Sequence, residues 1–324
     1  MRRNVLIGRL DRIGDAVLAT PLPREIKRAW PDARVGILAR GAAAAVFAHD
    51  LHVDAIIGDD HGPGTAANSF WVRVRDLRRR HFTHGLILRR DRRALRMFAA
   101  AGICTRAAPG LGLDHLLTAT RPVPSAVPAA GVHDGDAFLK MLGAFGIGTE
   151  ATDPEIHLSA AERGLAAVRR AEWDAVGSFL VGVHATGGGS APNWAPAAWA
   201  QLAALLAAHP RVRVALTDRD VPPEVAAVPG VVAVNRRAPL RSSLVNISAL
   251  DLLVSTNTGP MHLAAALGVP TLSLFCPLES CAPERRGPRG NRALLVLPEP
   301  GYCSGRCPGN PGTCRFAGSR EVSP

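Results

Sequence analysis

Short apolar runs separated by polar or glycine-containing turns recur along the chain, and this alternation is typical of parallel strands connected by helices. Residues 4–8 and 35–39 predict the first two strands, with a helix between them that Pro21 and Pro23 should break or kink. The same pattern starts again at residues 179–183. We therefore predict an α/β protein with two similar halves and parallel sheets.

Residues 252–277 form the clearest unit of this pattern, with an apolar strand, a short turn, a helix and a second apolar strand. Thr258 and Gly259 belong to the turn, where glycine allows a positive φ, and Pro260 suits the first helical position because no N–H is needed there. A helix that begins directly after a strand leaves unpaired N–H groups and a positive dipole end at the sheet edge. The turn therefore favours a phosphate, although many such turns bind nothing and His262 alone would be an ordinary helix residue.

A second turn of this kind follows the strand at residues 179–183. It runs from His184 through Thr186 and three glycines to Ser190, and it offers several backbone N–H groups to an anion. A flexible loop that binds no ligand fits the same residues equally well. Because both turns follow strands of the same half, we expect them at one sheet edge, where a diphosphate would span them.

Asp15 stands at the start of the first predicted helix, after the first strand and a turn that we expect at Gly14. An aspartate in this place most often caps the helix N-terminus. It is also a carboxylate at the carboxyl end of a strand, where open sheets bind ligands. The first βαβ unit has no G-x-G-x-x-G sequence, so the usual fingerprint of dinucleotide binding is missing.

The 324-residue chain has a formal net charge of +11, and nearly all of its basic residues are arginine. This composition fits either a codon bias or attraction to nucleic acid, acidic lipid or a phosphorylated glycolipid. No zinc-finger spacing or RNA-binding aromatic motif supports nucleic acid. Arg89, Arg90 and Arg92 follow a short apolar strand, and we expect one of them to contact an anionic acceptor, although a solvated helix face explains most such clusters.

Cys303, Cys307 and Cys314 cluster in a tail rich in glycine and proline. Their spacing suggests a metal knuckle, but three ligands are one fewer than a structural zinc site needs. Cys281 would be a candidate fourth ligand, and a disordered tail with free thiols is the alternative. No apolar run approaches the length of a membrane span and no signal peptide precedes the first strand, so we expect a cytoplasmic protein.

Two motifs carry a resemblance to a known family. The first is R-x-x-x-I-G-D-x-x-x-x-T-P at residues 9–21, and the second is N-T-G-P-x-H-x-A-A-A-L-G-x-P-T at residues 257–271. With them the chain resembles glycosyltransferase family 9, the heptosyltransferases of lipopolysaccharide assembly, over nearly its whole length. The resemblance implies the GT-B architecture, in which two Rossmann-like domains with parallel sheets face a cleft.

The resemblance also implies a separate role for each domain. Residues 1–150 would form an N-terminal acceptor domain, residues 151–300 a C-terminal nucleotide-sugar donor domain, and residues 301–324 a Cys/Gly/Pro-rich tail. The implied reaction is inverting, metal-independent transfer of a sugar, by resemblance heptose from ADP-heptose, to a lipopolysaccharide core or related glycan. No cofactor is implied. The partners would be the nucleotide-sugar donor and an anionic glycolipid acceptor, with peripheral contact at the inner face of the inner membrane and no nucleic acid.

Site residues follow from the turns, the arginine cluster and the resemblance together. Asp15 would act as the general base on the acceptor hydroxyl. The acceptor would be bound by Arg9, Gly14, Arg89, Arg90 and Arg92. The donor would be bound by His184, Thr186, Gly187, Ser190, Asn257, Thr258, Gly259 and His262.

The chain departs from the family pattern at three places. Asn257 stands where the family usually has Asp, Cys276 where it usually has Gly, and Pro192 in a segment where the family has a Lys that neutralises a donor phosphate. The neutral amide at position 257 would keep the turn geometry and repel a diphosphate less. Two alternatives stay open: a nucleotide-sugar-binding relative with an altered donor or lost catalysis, and a protein that binds anionic membrane or nucleic acid.

Overall fold

The computed structural model of the chain describes residues 3–10, 12–59, 66–124, 131–189, 191–303, 305, 307–310 and 314, without the side chains of residues 9, 10 and 66–69. The chain divides into two compact units, Met1–His157 and Leu158–Pro324. Each unit contains a six-stranded sheet, and the presence of a sheet in each half agrees with the alternating pattern. Within the described ranges, no helix combines the length and the apolar character that crossing a membrane requires.

The first unit is built on six parallel strands. They are β1 (Asn4–Leu10), β2 (Arg34–Ala39), β3 (Ala55–Gly58), β4 (His84–Ile87), β5 (Thr105–Pro109) and β6 (Arg121–Val123). Their order in the sheet is β3-β2-β1-β4-β5-β6, and every pairing is parallel. The strand order therefore reverses between β1 and β4, and open α/β sheets bind ligands outside the carboxyl ends of strands at such a point.

Helices connect these strands. They are α1 (Ile13–Leu18), α2 (Pro21–Ala29), α3 (Ala66–Arg79), α4 (Arg92–Ala100), α5 (Leu113–Leu117) and α6 (Asp134–Lys140), with 3-10 helices at Gly41–Phe47 and Met141–Phe145. The predicted break of the first helix is confirmed, because α1 ends before Pro21 and α2 starts there. Gly14 lies inside α1, so the turn predicted at this glycine is wrong.

The core of the first unit holds β1 and β4 firmly together. The Phe98 ring of α4 is fully buried against both strands. A Cβ atom at Gly8 would lie 2.8 Å from this ring and one at Gly85 only 2.6 Å from it. Glycine at these two positions therefore lets the ring pack directly on the strands, and this packing fixes the strand ends that carry the candidate site.

The polar segment that precedes the second unit, residues 148–155, lies against α2. Buried Glu25 accepts the N–H of Glu150 at 2.9 Å. Arg24 Nη1 lies 2.6 Å from Glu155 Oε1. This polar segment, which spans the predicted domain boundary at residue 150, is therefore fastened to the first unit by its polar groups.

The second unit repeats the topology of the first. Its strands are β7 (Phe179–His184), β8 (Val212–Leu216), β9 (Val231–Ala233), β10 (Leu252–Thr256), β11 (Thr271–Leu274) and β12 (Ala293–Val296). Their order is β12-β11-β10-β7-β8-β9, again with parallel pairings only. The strand order reverses between β7 and β10, which are the two strands that the predicted phosphate turns follow.

The helices of the second unit are α7 (Ala160–Glu172), α8 (Pro196–Ala207), α9 (Pro223–Ala226), α10 (Leu240–Ser248), α11 (Gly259–Ala266) and α12 (Pro283–Arg286). Gly259 is the first residue of α11 and has no positive φ, so the turn geometry predicted for it is wrong and Pro260 takes the second helical position. Gly268, with φ +76°, follows the end of α11, since a left-handed residue without a Cβ terminates a helix at little cost.

Candidate functional site

Asp15 lies in the first turn of α1 and is buried. The residue at the N-cap position is Arg12, and no side chain caps the helix there. The alternative in which Asp15 is the helix cap is therefore wrong. Its carboxylate has instead a partner from the neighbouring strand.

The partner is Arg89, which follows β4. Arg89 Nε donates to Asp15 Oδ2 at 2.8 Å and Nη2 donates to Oδ1 at 2.5 Å, so the pair is bidentate. The Leu88 N–H donates to the Gly8 carbonyl, which continues the pairing of β1 and β4 up to this point. The structure therefore brings the predicted base and one predicted acceptor arginine together where the strand order reverses.

A second carboxylate, Asp134, completes this arrangement. It is buried in the first turn of α6. Burial pulls the pKa of the Arg89 guanidinium down, but the hydrogen bonds that Arg89 donates to Asp15 and the charges of Asp15 and Asp134 raise this pKa overall. The charges of both carboxylates thus stabilise the Arg89 cation, which orients Asp15 through both carboxylate oxygens.

Arg90 and Arg92 lie beside a different carboxylate. Arg92 Nε is 3.0 Å from Asp114 Oδ2, and Arg90 Nη2 is 3.8 Å from the same oxygen. The Arg90 guanidinium also lies against Gly112, where a Cβ atom would collide with it. Both arginines remain substantially exposed, so each can still turn toward an anionic ligand. The side chain of Arg9, another predicted acceptor residue, lies outside the described residues.

In the second unit, the predicted donor residues stand on neighbouring strands. His184 ends β7 and pairs in register with Ser255 of β10. Its Nδ1 lies 3.1 Å from Thr217 Oγ1 and 3.5 Å from Asp218 Oδ1. Burial lowers the pKa of His184, although the Asp218 charge opposes this shift. The imidazole is therefore neutral near neutral pH and can serve as a hydrogen-bond partner.

The predicted anion nest at residues 184–190 needs a correction. Asp218 is fully buried after β8 and accepts the N–H groups of Ala185 and Thr186 at 3.0 and 2.8 Å, as well as the Thr186 hydroxyl at 2.6 Å. A carboxylate of the chain itself already occupies these donors, so Thr186 does not offer its amide to an anion. Gly187 and the two glycines after it are exposed, and Ser190 lies outside the described residues.

The other turn keeps its helix end open. Thr258 is the N-cap of α11 in extended conformation, but its side chain makes no capping hydrogen bond, and its hydroxyl donates to the Thr256 carbonyl at 3.3 Å. Pro260 has no N–H, and His262 is buried in the first turns of the helix. The N–H groups and the dipole at this helix end are therefore directed to the sheet edge without a capping side chain.

Asn257 has a defined structural role. It is buried, and its Nδ2 donates to the Cys281 carbonyl at 3.1 Å. Cys281 also pairs with Cys276: a hydrogen bond from the Cys276 thiol lowers the pKa of the Cys281 thiol to about 6, against the effect of burial, and raises the pKa of Cys276. The departures from the family pattern at positions 257 and 276 thus belong to one local cluster.

The segment around Pro192, where the family has a lysine, is held in place by Asn193. Its Nδ2 donates to the Ala185 carbonyl at 2.7 Å, and its Oδ1 accepts the Trp199 indole N–H at 3.2 Å. The Trp194 ring packs against the buried Trp199 ring. The side chains here anchor the glycine loop to the end of β7 rather than supplying a positive charge.

The metal knuckle suggested at the cysteine tail stays a prediction. Among the residues that the structure describes, no group of three or more His, Cys, Asp or Glu side chains is arranged to hold a metal ion. Cys303, Cys307 and Cys314 are all within the described residues and are free thiols.

Sequence reasoning missed three carboxylates, Asp114, Asp134 and Asp218. Asp218 lies two residues after the end of β8, so its place at a strand end was a usable signal. Asp114 and Asp134 are brought to their arginines only by the packing of α5 and α6, and no local pattern marks them.

Comparisons with known proteins agree with this picture. A family model described as glycosyltransferase family 9 (heptosyltransferase) matches residues 136–303, which is more than half of the chain. No curated protein sequence matches the chain.

Among solved structures, a glycosyltransferase family 9 protein from Veillonella parvula matches with a TM-score of 0.79 at 16% identity, over 91% of this chain and 86% of its own. E. coli ADP-heptose lipopolysaccharide heptosyltransferase II matches with a TM-score of 0.70 at 18% identity, over 91% and 90%. E. coli heptosyltransferase WaaC with ADP matches with a TM-score of 0.67 at 15% identity, over 97% and 96%.

The structural likeness establishes the fold, two Rossmann-like domains of the GT-B class, as predicted. The family model covers the open helix end of α11 and the strand ends beside it. The chain belongs to glycosyltransferase family 9 (heptosyltransferase), and it is a glycosyltransferase.

Proposed function

We propose that this glycosyltransferase moves a sugar from a nucleotide diphosphate sugar, with ADP-heptose as the donor, to a lipopolysaccharide core or a related anionic glycan. The observation that carries the proposal is the buried Asp15 carboxylate, held in a bidentate pair by Arg89 where the strand order of the first unit reverses. The similar E. coli structures support the donor, since one is described as an ADP-heptose heptosyltransferase and another contains ADP-2-deoxy-2-fluoro heptose.

In this proposal the second unit binds the donor. The diphosphate is bound by the N–H groups and the positive dipole end of α11, at Thr258 and Gly259. His262, buried near the same helix end, contacts the diphosphate or the sugar. Neutral His184 and the exposed Gly187 line the neighbouring strand end. The helix end, rather than a metal ion, carries the charge of the leaving group.

Arginines replace the missing family lysine in this proposal. Arg219 follows Asp218 directly, and the Arg237 N–H donates to the Arg219 carbonyl at 3.2 Å. Both side chains are exposed, and they follow β8 and β9, on one side of β7. Two guanidinium groups at this strand edge supply positive charge to a diphosphate that reaches beyond α11.

The first unit supplies the base. The acceptor hydroxyl gives its proton to Asp15 while its oxygen forms a bond to the anomeric carbon, and the bond from that carbon to the diphosphate oxygen breaks. The leaving diphosphate keeps the electron pair. A single displacement inverts the configuration at the anomeric carbon. Arg89 is the positioning residue that holds the carboxylate, while Arg90 and Arg92 contact anionic groups of the acceptor.

The test combines binding and turnover. Calorimetry of the full chain against a panel of nucleotide sugars is expected to select ADP-heptose. A panel is needed because all its members share the diphosphate, which cannot distinguish the base or the sugar. Asp15→Asn is expected to keep donor affinity and to lower turnover by about a hundredfold or more, as loss of a general base does. Asp174→Asn, which neutralises an exposed carboxylate of the second unit, is the control.

Two outcomes would contradict the proposal. Tight donor binding with turnover that Asp15→Asn leaves unchanged would place the base elsewhere. Donor binding without turnover on any glycan would instead support a nucleotide-sugar-binding relative that has lost catalysis. NMR analysis of the product separates inversion from retention.

A further inference from the structure

The short helix α5 buries its polar side chains and exposes its apolar ones, the reverse of the usual arrangement in a surface helix. Its polar residues point inward, because His115 is buried and Asp114 is largely covered. The leucines on and just before the helix are between 67% and 78% exposed, and these are Leu111, Leu113, Leu116 and Leu117. Isolated exposed leucines are ordinary, but four within seven residues form a patch that calls for an apolar partner.

The patch is held rigidly in this orientation. At one end of α5, Asp114 pairs with Arg92 at 3.0 Å. At the other end, the Thr118 carbonyl accepts Nε of the buried Arg106 at 3.1 Å. Because α5 is fastened at both ends, the outward direction of the leucines is a property of the folded unit and not the result of a fraying helix.

Aromatic and basic residues of α3 and α4 lie near the patch. The Arg93 guanidinium carbon lies 5.2 Å from the Phe70 ring centroid, and this ring packs edge-on against Trp71. Trp71 and the following Val72 are both more than 60% exposed. Trp71 on α3 is thus joined to Arg93 of α4 through Phe70, while the neighbouring Arg92 of α4 is joined to Asp114 of α5, so that α4 links the two apolar groups.

The charge that this surface presents to solvent is positive. Arg92 is 75% exposed, and Arg96, one turn further along α4, is exposed as well. Two described acidic residues beside these arginines are engaged, since Asp91 caps α4 by accepting the Ala94 N–H and Asp114 pairs with Arg92. Apolar side chains with a tryptophan and arginines at their edge match the layers of an anionic bilayer, acyl chains below and phosphates above.

We propose that the leucine–arginine surface, formed by Trp71, Val72, Leu111, Leu113, Leu116, Leu117, Arg92 and Arg96, docks this protein on an anionic lipid bilayer. The leucines and Trp71 enter the acyl boundary, and the arginines contact lipid phosphates. This surface lies in the first unit and involves none of the proposed donor residues, but it shares Arg92 with the proposed acceptor site. The proposal goes beyond sugar transfer, and its test therefore leaves Arg92 unchanged.

Vesicle flotation of the full chain tests the proposal. The chain is expected to bind vesicles of phosphatidylcholine mixed with phosphatidylglycerol and to bind pure phosphatidylcholine more weakly. The combined variant Leu113→Ser, Leu116→Ser and Leu117→Ser should lower partitioning by about tenfold or more, because three leucines lose their burial in lipid. Arg96→Glu should lower it by about fivefold or more, and high salt should remove this difference.

Matched controls lie outside the surface. Leu205→Ser changes an equally exposed leucine of α8, and Arg211→Glu reverses an exposed arginine, and neither should alter vesicle binding. Circular dichroism and thermal unfolding check the fold of each variant. If the combined variant unfolds, Leu116→Ser and Leu117→Ser are measured singly, each with an expected loss of about threefold or more.

Three results would overturn the proposal. The wild-type chain could remain unbound to both kinds of vesicle, or the leucine variant could bind as the wild type does. Light scattering could instead find a dimer that the leucine substitutions dissociate, in which case the surface is covered by a second copy. Donor calorimetry on the leucine variant is expected to match the wild type, so failure of the docking proposal and failure of the proposed reaction give different results.

Discussion

Asn257 shows how one departure from a family pattern can follow from its neighbours. Its amide donates to the Cys281 carbonyl, and an ionised aspartate has no hydrogen to donate. The carboxamide therefore ties the end of β10 to the segment that carries Cys281, quite apart from any effect on a diphosphate. The expectation that a neutral residue repels the diphosphate less stays a prediction at the same position.

Asn257→Asp is expected to lower the free energy of unfolding by about 1–3 kcal/mol, because the buried carbonyl of Cys281 loses its donor. Burial would raise the pKa of the new carboxyl in the folded state. Since a raised pKa favours the protonated folded state, the loss of stability should grow as the pH rises from about 5 to about 8. Urea unfolding at both pH values measures this.

Asn257→Ala is the control, since it removes the donor without adding a charge, and its loss of stability should be the same at both pH values. If Asn257→Asp were as stable as the wild type at both pH values, the structural role assigned to the Asn257 amide would be contradicted. Donor calorimetry on the same protein addresses the diphosphate, and tighter binding to Asn257→Asp would contradict the idea of reduced repulsion.

Helix α7 depends on polar contacts to an unusual degree, because none of its residues is buried. Ser159 and Glu162 form a capping box at its N-terminus. Arg241 of α10 then binds Glu162 through two short hydrogen bonds of 2.6 and 2.7 Å. A single carboxylate therefore both caps α7 and joins it to α10.

The hydrogen bonds from Arg241 are the main reason that the pKa of Glu162 falls to about 2. A folded-state pKa below the usual value means that the stabilisation is complete above about pH 4.5 and is lost as the pH falls toward 2. Glu162→Gln should therefore cost about 2 kcal/mol at neutral pH, after allowance for solvent screening of this partly exposed pair, and almost nothing near pH 2.

Chemical denaturation across this pH range measures the difference. Glu172→Gln is the matched control, because Glu172 forms only an exposed pair with Arg169 and should have little effect at any pH. A difference between wild type and Glu162→Gln that does not change with pH would show that the charge of Glu162 is not what stabilises α7.

The two units share one topology but carry different chemistry at the point where the strand order reverses. The first unit has a carboxylate paired with an arginine, and the second has an open helix end beside a neutral histidine. The formal net charge of +11 adds a general attraction for anionic partners. We therefore expect donor binding and proton transfer to be separable by mutation.

Arg89→Gln is expected to lower turnover by about ten- to a hundredfold, because Asp15 loses the two hydrogen bonds that orient it. Donor affinity, measured by calorimetry, should stay within about twofold of the wild type, a change of less than 0.5 kcal/mol. Arg89→Lys should recover part of the turnover, since it keeps one charged donor. Arg121→Gln, at an exposed arginine of the same unit, is the control.

A loss of donor affinity that accompanies the loss of turnover would contradict this separation. Full turnover in Arg89→Gln would contradict the positioning role of Arg89.

The strands that the apolar pattern predicted best were those buried along most of their length, such as β2, β7 and β10. The apolar pattern did not predict the short helix α5, which has only five residues. Its leucines are exposed, so the usual rule that apolar faces point inward fails there. The exposed strand β12 was missed for a related reason, since all four of its residues face solvent.

The amino-acid sequence alone determined the α/β class, the broken first helix and the open end of α11, because each depends on local periodicity or on a proline at a helix start. It also carried the motifs of the family. Tertiary structure alone decided which charges meet: Arg89 with Asp15, Arg92 with Asp114, and Asp218 with the amides of residues 185 and 186. Such contacts join residues far apart in the chain, and only the strand order and the packing of helices bring their atoms within hydrogen-bond distance.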